Sequence, residues 1–266
     1  MEIYQALILG IIQGLTELLP ISSSAHLQLI PWIFQWNIPE SFDVALHAGT
    51  LLAIAIFFFK DWIQLIKGGY KKVVKKEDST EGRMFWYIVI ATIPAGILSL
   101  VLDKVTEVLF DGRLELKMLV ISISLIVMGI ILYVVDKKAK STVKLEEINL
   151  KQSVLIGISQ AIAAAFPGVS RSGITMTVAR GLGVAREPAA RYSFLLSTPI
   201  VFAATLYKFK DFVFDLPFVV GVLASFIVGL LVIKFLLKYL QKGSFKIFAI
   251  YRVIFGIFLI AYIFLH

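Results

Sequence analysis

The sequence contains no cysteine and has few charged residues. Of its 266 residues, 17% are charged and 59% are hydrophobic, and its mean hydropathy is +0.88. The absence of cysteine excludes disulfides, thiolate metal sites and cysteine nucleophiles, and it leaves the redox compartment open. Because a soluble domain carries about 25% charged residues, the composition predicts an integral membrane protein.

The first residues also lack the marks of a cleavable signal peptide. The acidic residue Glu2 stands where such a peptide has basic residues, and we see no cleavage site of small residues. The net charge of +8 does not indicate a nucleic-acid partner, because the lysines and arginines gather in short segments between apolar runs. That distribution is typical of membrane topology.

Six apolar segments are long enough to cross a bilayer, which takes about 20 residues of α-helix. They cover residues 42–59, 84–102, 117–135, 192–207, 217–237 and 247–265. Two more apolar stretches, 3–35 and 153–185, are each interrupted by a proline and a cluster of serines. These two could be spans, or hairpins that enter and leave the membrane on one side.

Basic residues between the segments predict the orientation, because short loops rich in lysine and arginine stay in the cytoplasm. The segment from Lys60 to Arg83 is predicted to be one cytoplasmic loop, and the lysine-rich loop 136–151 a second. Two later spans already supply the crossings between 136–151 and the next basic group. The stretch 153–185 must therefore return to its starting side, which predicts a re-entrant hairpin.

An internal repeat supports the same structure near the N-terminus. Gln13 and Gln160 each follow a glycine by three residues and precede a proline by seven, at a constant offset of 147 residues. Inverted repeats with broken helices are a known way to build a polar site inside a membrane. We predict an all-α protein with six transmembrane helices, two re-entrant helix hairpins and both termini outside. Its single domain, 1–266, would comprise inverted repeats at about 1–135 and 151–266, joined by the cytoplasmic loop 136–151.

A polar segment, residues 167–175, lies between apolar runs in the second hairpin and contains Arg171. A charge at membrane depth is costly and indicates function by default. Arg171 stands at the start of a half-helix, where a purely structural cation would oppose the helix dipole. Its donor fork matches phosphate oxygens, so a bound phosphate is indicated. The alternative is a buried ion pair with Glu17, and the two are compatible.

Serines begin the second half-helix of each hairpin. Serine is a favoured N-cap, and the free N–H groups of a first helical turn bind anions. We predict that the helix starts near Ser22, Ser23 and Ser170 converge on one phosphate-bearing ligand. The alternative is that these serines only cap helices and satisfy the backbone inside the membrane.

Gln13 and Glu17 lie four residues apart on one helix face, at the C-terminal end of their half-helix. A carboxylate beside free carbonyl groups suits a hard divalent cation, Mg²⁺ or Ca²⁺. Glu17 could instead act as a general base toward water or a serine hydroxyl. A third reading is that it only pairs with Arg171.

His26 shares a helix face with Ser22 and Ser23. That spacing allows a serine nucleophile with a histidine base, or a histidine that protonates a leaving oxygen. A lone histidine in a membrane helix is more often a hydrogen-bonded packing residue. Thr175 and His47 are weaker candidates, and both could be interhelical hydrogen-bonding residues.

Together these residues resemble the bacitracin-resistance type undecaprenyl-diphosphate phosphatases. That family has the motifs (Glu or Gln)-x-x-x-Glu and Pro-Gly-x-Ser-Arg-Ser-x-x-Thr. Here they read Gln-Gly-Leu-Thr-Glu from residue 13 and Pro-Gly-Val-Ser-Arg-Ser-Gly-Ile-Thr from residue 167, and the similarity extends along most of the chain. The first acidic position is Gln13, which cannot be a base, so carboxylate chemistry falls on Glu17 alone.

The resemblance implies hydrolysis of undecaprenyl diphosphate to the monophosphate and inorganic phosphate, which recycles the cell-wall lipid carrier and confers bacitracin resistance. It implies a bacterial plasma membrane, a site open to the outer face, a divalent cation and a polyprenyl diphosphate lipid as partner, and it leaves a homodimer open. Combined with the residue chemistry, it predicts catalytic roles for Glu17, Ser23, His26 and Arg171. Phosphate ligands would be Ser22, Ser170, Arg171, Ser172 and Thr175, and metal ligands Gln13 and Glu17.

The competing hypothesis is a transporter or flippase for a polyprenyl phosphate or another anionic lipid, because inverted repeats with broken helices are common in transporters. An enzyme needs no sealed membrane, so phosphate release in detergent micelles separates the two. A packing subunit of a larger complex is a third option, which two matched polar hairpins at membrane depth argue against.

Overall fold

The computed structural model describes residues 1–265, which are helical apart from short connections and contain no β-strand. In chain order the helices are α1 (Ile3–Thr16), α2 (Ser23–Phe34), α3 (Glu40–Phe57), α4 (Phe59–Val74), α5 (Thr80–Phe110), α6 (Leu114–Lys138), α7 (Leu150–Ala165), α8 (Arg171–Gly181), α9 (Arg186–Lys208), α10 (Leu216–Leu240) and α11 (Lys246–Leu265). Single 3₁₀ turns lie at Leu145–Glu147 and Phe209–Asp211.

Five helices are long and apolar enough to cross a membrane, namely α5, α6, α9, α10 and α11. They contain five of the six predicted segments. The sixth, 42–59, corresponds to α3, which meets the same criterion only together with α4, and the two helices are bent by 73° at their junction. The fold is therefore all-α with five or six apolar helices of spanning length.

The predicted cytoplasmic loop between Lys60 and Arg83 is wrong as a loop. Most of it forms the helix α4, and only residues 75–79 connect α4 to α5. The lysines suggested a loop, but the apolar residues between them recur every three or four positions, which is a helical period. The linker 136–151 is also shorter than predicted, because α6 and α7 extend into it.

Both interrupted stretches form pairs of half-helices, as predicted. The break between α1 and α2 contains Pro20, and the break between α7 and α8 contains Pro167. The residues that precede α2 and α8 are Ser22 and Ser170, with φ of 76° and 71°. These values lie in the left-handed region, where a non-glycine residue is uncommon. The two breaks thus share one unusual backbone geometry.

The first half-helix of each pair packs against a long helix from the other half of the chain. In α1, a Cβ added at Gly10 would overlap the carbonyl oxygen of Gly221 in α10. In α7, a Cβ added at Gly157 would lie 2.7 Å from the carbonyl oxygen of Ala91 in α5. Gly10 and Gly157 are the glycines of the sequence repeat, and small residues allow this close approach between helices. The two halves are therefore interlocked.

The largest buried apolar cluster packs against the first break. It includes Leu18 from the break itself, Met176 of α8, Phe194 of α9 and Ile233 of α10, each at most 1% exposed. Between helices in a membrane, such side chains stabilise the contact by van der Waals packing rather than by removal from water. The polar residues of the break are thereby held on a rigid base.

Candidate active site

The carboxylate of Glu17 lies at the junction of the two breaks. Its residue follows the end of α1, and the side chain is 10% exposed. One oxygen, Oε1, accepts a hydrogen bond from Nη2 of Arg171. The other, Oε2, lies 2.5 Å from Oγ of Ser23, 3.2 Å from Nε2 of His47 and 3.4 Å from Nε2 of Gln13. Four candidate residues from the sequence therefore contact one carboxylate.

Arg171 joins the second break to the first. It is the first residue of α8, and its guanidinium reaches across to Glu17 while the side chain stays 22% exposed. The ion pair considered from the sequence is therefore present. One amino group forms it, so the remaining donors of the fork are available to an anion.

Ser23 is the first residue of α2 and donates its hydroxyl hydrogen to Glu17. The sequence left both His26 and Glu17 open as the acceptor of this proton. The structure places the carboxylate of Glu17 beside the hydroxyl, at 2.5 Å. A hydroxyl in contact with a carboxylate is an arrangement that covalent catalysis can use.

His26 points away from Ser23 and toward α11. Its Nδ1 lies 2.7 Å from the carbonyl oxygen of Ser22, and its Nε2 lies 2.7 Å from the hydroxyl of Tyr251. Because a carbonyl oxygen can only accept, Nδ1 carries the hydrogen and Nε2 accepts from Tyr251. The ring also stacks on Phe255 at 4.4 Å between centroids. Both nitrogens are engaged, and a catalytic role for His26 stays a prediction.

The hydroxyl groups of α8 bond mainly to the protein. Ser170 caps the helix by accepting from the backbone N–H of Gly173 at 3.1 Å. Ser172 donates to the carbonyl oxygen of Glu17 at 3.0 Å, so it ties the two breaks together. Thr175 lies 2.6 Å from Oγ of Ser193 in α9.

In the first break, Ser22 has a different partner. Its Oγ lies 3.1 Å from Oγ of Ser24, and either atom could donate. The cap position predicted for Ser22 is correct, although its side chain makes no capping hydrogen bond. Phosphate binding by these hydroxyl groups stays a prediction.

Sequence reasoning gave little weight to His47 of α3. Its Nδ1 lies 2.8 Å from the carbonyl oxygen of Asp43, while Nε2 faces Glu17 at 3.2 Å. Both nitrogens thus face oxygen acceptors, which suits the protonated ring, a donor at both positions. The sequence signal was present, because a histidine one turn into an apolar segment is costly without a polar partner.

Sequence reasoning missed Arg252 of α11 altogether. It is 1% exposed and donates to the carbonyl oxygens of Pro20 in the first break, at 3.1 Å, and of Gly168 and Val169 in the second, at 3.0 and 2.9 Å. It also donates to Leu125 in α6. One buried cation therefore binds both breaks, and its position inside an apolar segment was the available signal.

Comparison with known proteins decides the family. The protein-family model described as "Bacitracin resistance protein BacA" matches residues 6–258 of the chain. The chain belongs to this family. With its apolar helices, it is a multi-pass membrane protein.

Curated relatives of this BacA chain align over almost its full length. It is 50% identical to a protein of Pelotomaculum thermopropionicum named "Undecaprenyl-diphosphatase", over 97% of this chain and 95% of the relative. A protein of the same name from Moorella thermoacetica is 43% identical over 98% of each chain. One from Desulforudis audaxviator is 44% identical over 97% of this chain and 96% of the relative.

The donor set of this BacA chain bears on the predicted divalent cation. Oε1 of Gln13 is buried without a hydrogen-bond partner, so it is free to bind a cation beside Glu17. Within residues 1–265, no group of three His, Cys, Asp or Glu side chains could hold a metal ion. Two protein oxygens fit Mg²⁺, which is held by few side chains together with water and substrate phosphate, better than Ca²⁺, which takes about 6–8 oxygen ligands.

Proposed function

We propose that this protein is an undecaprenyl-diphosphatase, which hydrolyses the diphosphate of the lipid to a monophosphate and inorganic phosphate. The observation that carries the proposal is the contact of Glu17 with both Ser23 and Arg171 at the junction of two broken helices. An acid, a hydroxyl nucleophile and a phosphate-binding cation are the parts that phosphoryl transfer requires. The names of the relatives point to the same reaction.

Phosphate binding falls to Arg171 and the helix starts around it. The guanidinium donors not used by Glu17 bind the terminal phosphate, and the free N–H groups at the starts of α2 and α8 add to the positive field. When the guanidinium of Arg171 shifts its hydrogen bonds to the phosphate oxygens, Glu17 loses the cation that stabilises its negative charge. The carboxylate then becomes a stronger base at the moment when substrate is bound.

The reaction begins at Ser23. Its Oγ attacks the terminal phosphorus while Glu17 accepts the hydroxyl proton, and the bond to the bridging oxygen breaks. The leaving group is the lipid monophosphate, which carries away the bonding electron pair. The proton then passes from Glu17 to the departing lipid monophosphate. Water attacks the phosphoserine while Glu17 accepts a proton from it, and Glu17 returns that proton to Oγ of Ser23 as the P–O bond breaks and inorganic phosphate leaves. Direct attack by water is the alternative that the residues leave open.

The remaining site residues support this chemistry. His47 donates to Glu17 and keeps the carboxylate aimed at Ser23, while His26 fixes the start of α2 through Ser22. Gln13 and Glu17 would hold the divalent cation. When bound, that ion supplies neutralisation of negative charge on the phosphate oxygens.

We also propose that the two halves of the chain, about 1–135 and 151–266, form an inverted repeat within a single membrane domain. The matching backbone of Ser22 and Ser170 and the reciprocal packing of Gly10 and Gly157 support this. Both half-helix pairs would then be re-entrant, with the termini outside and the site open to the outer face of the plasma membrane. A homodimer stays a prediction, which light scattering in detergent tests.

The proposed function is tested by phosphate release from a C15 or C55 prenyl diphosphate in detergent micelles. We expect release by the folded wild-type protein and a large rise in KM for Arg171→Ala, with Arg113→Ala as an exposed control. Binding of the lipid without release would favour the transporter and would overturn the phosphatase.

A further inference from the structure

Helix α4 is fixed on one side only. Its buried residues are Leu65, Gly68 and Gly69, and this side lies against α5. A Cβ added at Gly68 would lie 2.7 Å from the backbone nitrogen of Gly82. Nε1 of Trp86 donates to the carbonyl oxygen of Gly69 at 3.2 Å. The contact with α5 therefore fixes α4 along the side that contains Gly68 and Gly69.

A second face of α4 exposes a continuous apolar stripe. Its members recur every three or four residues, so they share one side of the helix. Two of the most exposed are Phe59 at 62% and Tyr70 at 60%. The apolar stripe consists of Phe59, Ile63, Ile66, Tyr70, Val73 and Val74. A continuous exposed apolar stripe of this kind indicates contact with another apolar phase.

A row of lysines runs along one edge of the apolar stripe. The row consists of Lys60, Lys67 and Lys71. Intervals of seven and four residues place them on one side of the helix, and all three are exposed. In the part of the chain that the structure describes, Lys60 and Lys67 form no ion pair, and Lys71 pairs only with the exposed Glu77, at 3.3 Å. This lysine row therefore carries positive charge that few acids of the chain neutralise.

We propose that α4 is a binding surface for anionic phospholipid headgroups. The lysine row bonds the phosphate groups, and the apolar stripe lies among the upper acyl chains. The bend of 73° turns α4 away from the direction of α3, whose last turn exposes Ile56 and Phe57, so the apolar surface continues from one helix to the next. Basic amphipathic helices take this position at the surface of a bilayer.

Charge favours lipid over a second copy of the chain as the occupant. Pairing two copies through the apolar stripe would bring two lysine rows to the same seam, and like charges repel across it. The surface lies on a different helix from Glu17 and Ser23. The inference therefore goes beyond the proposed function and does not depend on it.

The test uses the tryptophans that lie at α4 as reporters. In the full-length protein carrying Trp32→Phe and Trp36→Phe, the remaining indoles are Trp62 in α4 and Trp86 against it. The protein is placed in mixed vesicles of phosphatidylcholine and phosphatidylglycerol, with bromine on the acyl chains of one lipid at a time. Fluorescence quenching then reports which lipid lies next to α4.

We expect phosphatidylglycerol to be enriched at α4 by about tenfold. One lysine favours an anionic headgroup roughly fivefold, and each lipid headgroup contacts only one or two of the three lysines. The enrichment should disappear when the lysine row is replaced by glutamine, and it should shrink in 1 M salt, where the screening length is about 3 Å. A control with the same loss of charge elsewhere keeps the enrichment. That control is Lys137→Gln with Lys138→Gln and Lys140→Gln.

Two results would overturn the proposal. One is equal tryptophan quenching by both brominated lipids in the protein that keeps its lysine row. The other is a protein occupant, seen as a dimer in light scattering that Ile66→Ser converts to a monomer. Phosphate release in neutral-lipid micelles should be unchanged in the lysine-row variant, so a failure here leaves the proposed function untouched, and the reverse holds too.

Discussion

Among single residues, the proposed mechanism depends on which groups share the oxygens of Glu17. Ser23 and His47 face one oxygen, and Arg171 faces the other. A carboxylate that pairs with Arg171 is a weak base until substrate draws the guanidinium away. In the proposed mechanism, substrate binding and base activation are coupled through Arg171.

Replacement of Ser23 tests the nucleophile. Ser23→Ala should lower kcat by at least about 10²-fold, because the attacking oxygen is lost while Arg171 and the helix starts still bind substrate. Steady-state phosphate release in micelles measures this, with KM expected to change little. Ser24→Ala serves as the neighbouring control. A kcat within a few-fold of wild type would identify water as the attacking group.

Replacement of Arg252 tests whether one buried guanidinium positions both breaks. Arg252→Met leaves the carbonyl oxygens of Pro20 and Gly168 without a donor, which costs about 1–3 kcal/mol each. We expect a lower Tm and, well below that Tm, a lower kcat. Arg252→Lys should recover part of both, because it restores a charge without the planar fork.

The Arg252 result has a clear contrary outcome. If Arg252→Met keeps the wild-type kcat at a temperature where it is fully folded, the residue serves the fold alone. Arg113→Met, in the exposed connection between α5 and α6, is the control for loss of an arginine.

Among the helices, the sequence predicts every element except α4, but it does not predict all of their roles. The proline and serine interruptions predicted both breaks, because these residues end and start helices. The side chain directions could not be predicted, since they depend on partners far away in the chain. His26 turned to Tyr251 of α11, and His47 of α3 turned to Glu17.

Helix α4 shows a second limit of sequence reasoning. Its lysines predict a loop, whereas its apolar residues have a helical period. The close packing of Gly68 and Gly69 on α5 agrees with the helix. Local charge predicted the presence of a basic surface, and packing determined its form.

The close approach of α7 and α5 gives a prediction for element packing. Gly157→Ala places a Cβ 2.7 Å from the carbonyl oxygen of Ala91, so the helices must separate at a cost of about 1–3 kcal/mol. A lower Tm in detergent is the expected result. Gly96→Ala in α5 is the matched control, because an added Cβ there has no atom within 4 Å. Equal Tm values for the two variants would contradict the packing argument.

In the whole molecule, the candidate site needs residues from both halves of the chain. The first half supplies Glu17 and Ser23, and the second supplies Arg171 and the cation at Arg252 that binds both breaks. The contact between Glu17 and Arg171 thus joins an acid of one half to a cation of the other. The proposed inverted repeat gives this division of roles a structural basis.

The absence of cysteine allows the orientation to be tested directly. Single cysteines at Glu2 and Arg113 should react with a membrane-impermeant maleimide in intact cells. The N-terminus is predicted to lie outside, and α5 crosses from the cytoplasmic segment before it to the connection that contains Arg113. Cysteines at Lys76 and Lys140 should react only after permeabilisation. Labelling of Lys76→Cys in intact cells would contradict the proposed topology.

In the proposed mechanism, one carboxylate at the junction of the two halves drives hydrolysis of the lipid diphosphate. Glu17→Gln keeps the size of the side chain and one acceptor oxygen but removes the base. Measured as phosphate release from a prenyl diphosphate in micelles, at a temperature where the variant is fully folded, its kcat should fall by about 10²–10⁴-fold, with Glu115→Gln unaffected. Near-normal release by folded Glu17→Gln would contradict the account.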